Sequence, residues 1–242
     1  MDRLDIGDAT VFVMANDPVG GFWNRTIGLG VTDPLTAEQL GQITSFATTA
    51  GAGLQVIQVA PGAQPLEWPD ELAAIGAVPS ATWVKFVGRP PLAYEGETSL
   101  RISKLGDGHE ADYGRVMCIG FEMPLESPLP AWFEEVFHAP NRTPYGAFDG
   151  DELVAVASLW VDGDLAALCG AATLPSARGQ GAQGALMGRR LADAWAAGAQ
   201  HIGSDTGSES PDHPNPSLHN MRRVGLTEAY TRTNYIWRAA SS

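Results

Sequence analysis

The chain has 242 residues, of which 44% are hydrophobic and 18% are charged. This composition is typical of a globular protein with a sizeable core, and the length fits one large domain or two smaller ones. No run of about 18 apolar residues is present, which excludes a membrane-spanning helix. The N-terminus also lacks the pattern of a secretory signal.

Acidic residues outnumber basic residues by 28 to 15, which gives a net charge of −13. Such a surface repels nucleic acid phosphates and anionic lipid, so we predict no nucleic acid and no membrane as partner. We interpret most of this charge as a contribution to solubility.

The cysteine and histidine content indicates neither a disulfide framework nor a metal site. Cys118 and Cys169 lie far apart in the sequence, and we interpret both as buried thiols of a reducing cytoplasm. The five histidines show no metal-ligand spacing. We therefore predict a cytoplasmic protein without a metal.

Glycine stops and hydrophobic periodicity predict the order β-α-β-α-β in the N-terminal part. The expected N-cap of the first helix is Thr36 or Asp33. The predicted elements are a strand at 26–31, a helix at 36–50, a strand at 54–59, a short helix that ends near Gly76, and a strand at 81–87.

After the linker candidate Gly88-Arg89-Pro90-Pro91, the predicted order is β-α-α-β-β-β-α-β-α-β. Turn signals at Asp149-Gly150 and Asp162-Gly163 predict two hairpins. The predicted elements are a strand at 99–105, helices at 109–121 and 130–138, strands at 145–148, 153–161 and 165–173, a helix at 181–197, a strand at 201–204, a helix at 216–224 and a strand at 227–237.

The N-terminal part repeats the order of the last elements. The glycines that end corresponding helices lie 147 and 149 residues apart (Gly51 and Gly198, Gly76 and Gly225). We therefore predict two domains, a smaller α/β half-repeat at residues 1–90 and a larger domain at residues 95–242. Two unrelated α/β segments are the alternative.

A glycine-rich loop lies between the predicted strand 165–173 and the predicted helix 181–197. Backbone N–H groups at a helix start have no helical partner and can hold a phosphate or pyrophosphate. Gly179, Gly181 and Gly184 would let such a ligand approach, and Arg178 can add charge or brace the loop. The loop alone is weak evidence, because glycines also serve close helix–strand packing. It is neither a P-loop nor a dinucleotide fingerprint, because the lysine and the acidic residue of those motifs are absent.

Residues 99–238 resemble the GNAT superfamily of acyl-CoA-dependent N-acetyltransferases. The family's loop is Arg/Gln-x-x-Gly-x-Gly/Ala after a strand that ends in an apolar-x-Pro step. Here Thr173-Leu174-Pro175 and Arg178-Gly179-Gln180-Gly181-Ala182-Gln183 occupy those places, and Arg222-Arg223-Val224-Gly225-Leu226 matches downstream. The resemblance implies an α/β (α+β) fold, in which helices flank a mixed, mostly antiparallel twisted sheet.

The resemblance also implies a function, the transfer of an acetyl group from acetyl-CoA to a primary amine in a ternary complex. The acceptor would be a small molecule or a peptide, and the protein a monomer or homodimer. The strand end would pair with the pantetheine amides, and the loop would hold the pyrophosphate. The cofactor-binding residues implied in this way are Ala171, Ala172, Thr173, Arg178, Gly179, Gln180, Gly181, Ala182, Gln183, Gly184 and Asn215.

Three positions depart from the family's pattern. Gln183 replaces the usual glycine or alanine, so its side chain must point away from the cofactor. Met221 stands where many members carry the tyrosine that protonates the leaving thiolate. The usual cofactor-facing asparagine falls at Pro214, one residue before Asn215, which is also a good helix N-cap.

The catalytic groups are less well determined than the loop. Asp205, just beyond a predicted strand, is the first candidate to accept the amine proton, although it could equally be a solvated loop acid. Other candidates for this base are Glu209, Asp212 and His213. Tyr235 or Tyr230 could protonate the thiolate, and packing is the other interpretation of Tyr235.

Two further expectations concern the protein as a whole. The N-terminal half has no glycine loop and begins its helix with acidic residues, so we interpret it as a degenerate GNAT-like half-domain and predict that it binds no cofactor. The alternative to an enzyme is a catalytically silent module that binds acyl-CoA as a sensor or interaction domain.

Overall fold

The computed structural model describes residues 1–63, 68–94 and 96–239. They form two compact units: Met1–Val84 with the chain from Tyr230 onward, and Lys85–Ala229. The elements in chain order are β1 Asp2–Ile6, β2 Ala9–Val13, β3 Arg25–Leu29, α1 Ala37–Thr49, β4 Leu54–Val59, α2 Trp68–Ala74, β5 Val78–Gly88, β6 Arg101–Lys104, α3 Glu110–Gly120, α4 Leu129–Phe137, β7 Arg142–Asp149, β8 Glu152–Asp162, β9 Leu165–Thr173, α5 Ala182–Ala196, β10 His201–Gly207, α6 Pro216–Arg223 and β11 Thr227–Arg238.

The division into units differs from the predicted domains, 1–90 and 95–242, mainly at the C-terminus. The chain from Tyr230 onward groups with the first unit because β11 pairs with β4, where Tyr235 lies opposite Ile57. A linear boundary cannot anticipate a last strand that returns to the first part of the chain. Glu95 and residues 240–242 of the predicted second domain lie outside the described residues.

The first unit has an α/β architecture with the strand order β1-β2-β3-β4-β11. Its pairs are antiparallel except for the parallel pair β3–β4. Thr36 caps α1 through a capping box with Gln39, which confirms one of the two predicted caps. The core consists of these buried residues: Ile6, Ala9, Val11, Val13, Leu29, Leu35, Leu40, Ile43, Ala47, Ala52, Ile57, Val59, Leu72, Ala77 and Trp237.

The second unit contains the strand order β10-β9-β8-β7-β6. β9 and β10 are parallel, and the other pairs are antiparallel. Helices α3 and α5 cover opposite faces. On one face, Tyr145 of β7 lies opposite Ala157 of β8 and donates a hydrogen bond to Asp193 of α5. Ser158, which follows Ala157 in β8, forms a hydrogen bond with Tyr113 of α3. Successive strand residues point to opposite faces, so the two helices must lie on different sides.

The predicted fold class is confirmed, since helices flank a mixed, mostly antiparallel arrangement of strands. Each predicted helix and strand appears, with ends that agree or differ by at most a few residues. The structure adds the β1–β2 hairpin, for which the sequence pattern predicts no strands. None of the helices in the described part of the chain is long and apolar enough to cross a membrane.

Asp193 joins α5 to two strands of the second unit. Its carboxylate accepts hydrogen bonds from the Tyr145 hydroxyl at 2.8 Å and from Arg189 Nε at 3.1 Å, and Lys104 Nζ lies 3.2 Å away. Burial alone would raise the pKa of Asp193, but the donors from Tyr145, Lys104 and Arg189 bring it below its ordinary value of 3.8. The ionised form therefore stabilises the folded chain.

We expect Asp193→Asn to lower the free energy of unfolding by about 1–3 kcal/mol at pH 7, because hydrogen bonds to a charged group are lost. The folded-state pKa lies below the unfolded value, so this contribution is present above the unfolded pKa of 3.8 and is lost as pH falls through the folded pKa. Urea unfolding of both proteins at pH 7 and at about pH 3 measures the difference. A difference that does not shrink at low pH would contradict this role.

Candidate functional site

The two parallel strands of the second unit separate soon after they begin. Residues 201–203 of β10 pair with residues 165–167 of β9. One residue further along, Ser204 Oγ donates to the Leu168 carbonyl at 3.1 Å. Beyond this point no backbone pair joins the two strands in the described residues, although β9 continues to Thr173. The open edge of β9 therefore offers N–H and C=O groups to an extended ligand.

A β-bulge lies in the open part of β9. Ser158 of β8 opposes Cys169 and Ala157 opposes Ala171, so Gly170 is left without a partner, at φ +31°. The bulge bends β9 where the strands separate.

The Arg190 guanidinium supports this bulge from inside the protein. Its Nη1 donates to the carbonyls of Ser158 at 3.0 Å and Cys169 at 3.4 Å, and its Nε donates to Leu186 O at 3.2 Å. Arg190 is 1% exposed, and no carboxylate among the described residues forms an ion pair with it. Burial lowers the pKa of Arg190 to about 10. The residue is charged at neutral pH and satisfies the carbonyls beside the bulge.

The glycine-rich loop follows β9 and leaves a row of free donors. Gly179 and Gly181 both adopt φ +80°, and α5 begins at Ala182. The N–H groups of residues 177 and 178 bond back to residues 174 and 175, and helical bonding resumes with Ala185 N donating to Gly181 O. In the described part of the chain, no group accepts from the six N–H groups of residues 179–184. These donors at the positive end of α5 fit an anion such as a pyrophosphate.

Gly181 and Gly184 also make room for another part of the chain. A Cβ on Gly181 would lie 2.1 Å from the Glu97 carbonyl oxygen, and one on Gly184 would lie 3.3 Å from the Tyr94 ring. Gly179, in contrast, has open space around it. Packing, the competing interpretation of these glycines, therefore applies to Gly181 and Gly184.

Gln183 and Arg178 contact the ends of neighbouring elements. Gln183 Nε2 donates to Ala172 O at 3.0 Å and to Thr173 Oγ1 at 2.8 Å, so the side chain lies against the end of β9. Arg178 is exposed and reaches toward the Gly120 carbonyl at the end of α3. The contact of these residues with a cofactor, and that of Ala171 beside them, stays a prediction.

Asp205 lies within β10, which extends to Gly207, rather than beyond the strand as predicted. Its charge acts on the Cys169 thiol next to the bulge. Burial raises the pKa of Cys169, Arg142 and Arg190 oppose the rise, and Asp205 raises the pKa further. The candidate base therefore acts electrostatically on a residue of β9, the strand with the open edge.

The loop after β10 engages the other candidate residues in structural contacts. Glu209 Oε2 lies 2.8 Å from His219 Nε2 and accepts from Asn215 N, and its pKa is lowered first by that backbone bond. Asn215 caps α6 as predicted, with Ser217 N donating to Oδ1 at 3.0 Å. Asn215 Nδ2 donates to Thr206 Oγ1 and Gly207 O. Both N–H groups of this amide are therefore used within the chain, and contact of Asn215 with a cofactor stays a prediction.

Tyr235, the predicted acid, belongs to the first unit. Its ring packs edge-on against Trp68 with centroids 5.5 Å apart, beside that unit's core. These contacts support the packing interpretation, because the side chain fills space between apolar groups. Met221 is buried on α6.

Two polar groups near the bulge escape sequence reasoning. Arg190 occupies a helix, where an arginine is normally taken as solvent-facing, and Tyr113 is a buried residue whose hydroxyl lies 2.8 Å from Ser158 Oγ. In the sequence, the apolar residues Leu186 and Leu191 indicate that this face of the helix, which includes Arg190, points inward.

Asp107, Glu110 and His138 bring ligand atoms within 4.8 Å of one another, which histidine spacing does not predict. Glu110 already accepts from Gly108 N at 2.8 Å and lies 3.1 Å from His138 Nε2. We assign no metal to this exposed cluster.

Comparison with known proteins agrees with this architecture. Residues 114–215 match the model of the acetyltransferase (GNAT) family. The resemblance inferred from the sequence is confirmed over these residues, which lie within the second unit. No curated protein matches the chain.

Solved structures share the fold at low sequence identity. A GCN5-related N-acetyltransferase from Kribbella flavida has a TM-score of 0.69 and 15% identity, covering 99% of this chain and 90% of its own. A tandem GNAT protein from the clavulanic acid biosynthesis pathway has a TM-score of 0.58 and 14% identity, covering 85% and 70%. A conserved protein of unknown function from Staphylococcus epidermidis has a TM-score of 0.65 and 9% identity, covering 99% and 94%.

We expect alanine to be tolerated differently at two loop glycines with the same φ of +80°. Gly179→Ala should cost about 1–2 kcal/mol for the left-handed backbone alone. Gly181→Ala should cost about 1–3 kcal/mol more, because the new Cβ would overlap the Glu97 carbonyl. Urea unfolding of the two variants measures the difference, and equal losses would show that residue 97 does not pack on Gly181.

Proposed function

We propose that this protein transfers an acetyl group from acetyl-CoA to a primary amine of a small molecule or peptide. The family match supports acyl transfer in general. The observation that carries the proposal is the row of six free N–H groups at residues 179–184, directly after the open edge of β9. A pyrophosphate joined to an extended pantetheine arm has the chemistry that these two features recognise together.

In this proposal the loop holds the pyrophosphate, and Arg178 adds positive charge from the exposed side. Residues 171–173 offer backbone groups to the pantetheine amides, and the acyl group then lies toward the Gly170 bulge. A backbone N–H of the bulged strand is a candidate donor to the tetrahedral intermediate. Most of the rate enhancement comes from holding the thioester and the amine together.

The acceptor amine must lose a proton, and Asp205 is our candidate for the base, directly or through a water. The thiolate leaves without the usual tyrosine, because Met221 has no proton to donate. A free thiol has a pKa of about 8.5, so departure without an acid is feasible near neutral pH.

The alternative is an acyl-CoA-binding module without activity. Met221 favours it, because a thioether has no proton to donate. The packing interpretation of Tyr235, whose ring lies against Trp68, favours it as well. Release of free thiol from acetyl-CoA in the presence of a panel of amines separates the two functions. Turnover supports the enzyme, and binding without turnover supports the module.

We expect Gln180→Glu to weaken CoA binding about five- to thirty-fold, since a negative charge enters the loop that faces the pyrophosphate. Gln180 is exposed, and its Nε2 makes one long bond, to Ser176 O at 3.4 Å, so the fold should be unaffected. The matched control is Gln200→Glu, whose amide also bonds a nearby carbonyl, Gly198 O at 3.2 Å.

Calorimetric titration measures this effect and should give one site per chain for the wild type. Added salt should reduce the effect of Gln180→Glu, because the repulsion is screened. Equal affinities of the two variants would refute the loop as the pyrophosphate site. Two equivalent sites would refute the prediction of a cofactor-free N-terminal half.

We expect Asp205→Asn to reduce turnover about 10²- to 10⁴-fold, as for the loss of a general base. Cys169→Ala should leave turnover within about threefold, because direct transfer forms no acyl-cysteine. The Cys169 thiol, which is half-buried rather than buried as predicted, has a raised pKa and is a poor nucleophile. Steady-state kinetics on an accepted amine provides both values. Inactive Cys169→Ala together with active Asp205→Asn would replace direct transfer with a covalent route.

A further inference from the structure

Residues 92–94 and 96–98, which we call the strap, run along α5 from its end to its beginning. Trp195 Nε1 donates to Leu92 O at 2.8 Å near the end of the helix. At the other end of the helix, Thr98 Oγ1 donates to Gln180 O at 2.7 Å, two residues before α5 begins at Ala182. The strap thus ends at the glycine-rich loop.

The strap fits on α5 because both sides lack Cβ atoms at the closest points. A Cβ on Gly188 would lie 1.9 Å from Tyr94 O, and a Cβ on Gly96 would lie 2.4 Å from Ala185 N. The Glu97 carbonyl approaches Gly181 in the same way. Backbone therefore rests directly on backbone, and the path of the strap is fixed where it meets the loop.

Thr98 makes the last of these contacts. Its hydroxyl donates to Gln180 O and accepts from Leu100 N at 3.2 Å, so it is held at both ends. Gln180 lies between two glycines at φ +80°, and glycines have the widest conformational freedom in an unbound loop. A peptide unit is planar and trans, so a fixed Gln180 carbonyl also fixes the Gly181 N–H, which points the opposite way.

We infer that Thr98 is a positioning residue for the CoA pyrophosphate. By holding the Gln180 carbonyl on one side of the loop, it directs the Gly181 N–H to the other side, where the free donors of the loop lie. The loop then needs less ordering when the ligand binds. This inference rests on the proposed function.

The test compares Thr98→Val, which keeps the shape but loses the hydroxyl, with Thr98→Ser, which keeps the hydroxyl. We expect the valine variant to weaken CoA binding about three- to tenfold, the range of one neutral hydrogen bond, and the serine variant to stay within about twofold of the wild type. Both variants are titrated calorimetrically with CoA and with pantetheine, which has no pyrophosphate. Pantetheine should bind the wild type and both variants equally.

The outcomes separate this inference from the proposed function. If the wild type does not bind CoA, the proposed function fails and this inference fails with it. If the wild type binds CoA and the valine variant binds it equally well, the inference alone fails. The same holds if the valine variant loses pantetheine affinity to the same extent, because the effect would then be a general disturbance of the unit.

Discussion

The site in the second unit depends on how early β9 and β10 stop pairing. A continuous parallel ladder would use the N–H and C=O groups of residues 169–173, and no edge would remain for a ligand. The bulge at Gly170 bends β9 at the same level and breaks its ladder with β8, which leaves carbonyls that need other donors. Arg190 supplies those donors from α5. A buried guanidinium without a carboxylate is costly, which its lowered pKa of about 10 reflects, and its bonds to Ser158 and Cys169 compensate that cost. The Arg190 side chain therefore links α5, which follows the glycine-rich loop, to β9, which precedes it.

The glycines of the loop show that one residue can meet two demands. Gly181 has a left-handed backbone, and its N–H is one of the six free donors of the loop. Its missing Cβ also leaves room for the Glu97 carbonyl. Further along α5, Gly184 and Gly188 leave space for Tyr94 in the same way. Gly179 has open space around it, so its left-handed backbone is what favours glycine there. A mutation at Gly181 therefore cannot report on ligand binding alone, whereas a change at the exposed Gln180 can.

The sequence predicts most of the fold because its signals are local. The Asp-Gly turns define the β7–β8 and β8–β9 hairpins, and the glycine stops define the ends of α1, α5 and α6. The β1–β2 hairpin is not predicted because its turn, Gly7-Asp8, lacks the usual Asp-Gly order. The loop is also predicted, since its chemistry lies in consecutive residues. Arg190, Tyr113 and the strap are not, because their roles depend on contacts between residues far apart in sequence. The surroundings of Tyr235 also depend on such a contact, the pairing of β11 with β4, so the sequence leaves both interpretations of this residue open.

The charges around the bulge bear on which acceptors suit this site. Asp205 is the acid whose charge acts on Cys169, while Arg142, Arg190 and Lys85 act on the same thiol with the opposite sign. The cationic charge that acts at Cys169 disfavours a protonated amine in the same place. The amine must therefore arrive neutral or lose its proton early. A weakly basic amine does so with little help, whereas an alkylamine with a pKa near that of lysine, about 10.4, spends most of its time protonated at neutral pH. In the proposed reaction, Met221 stands in place of an acid and the thiolate would depart on its own, so the rate should depend most on the basicity of the acceptor.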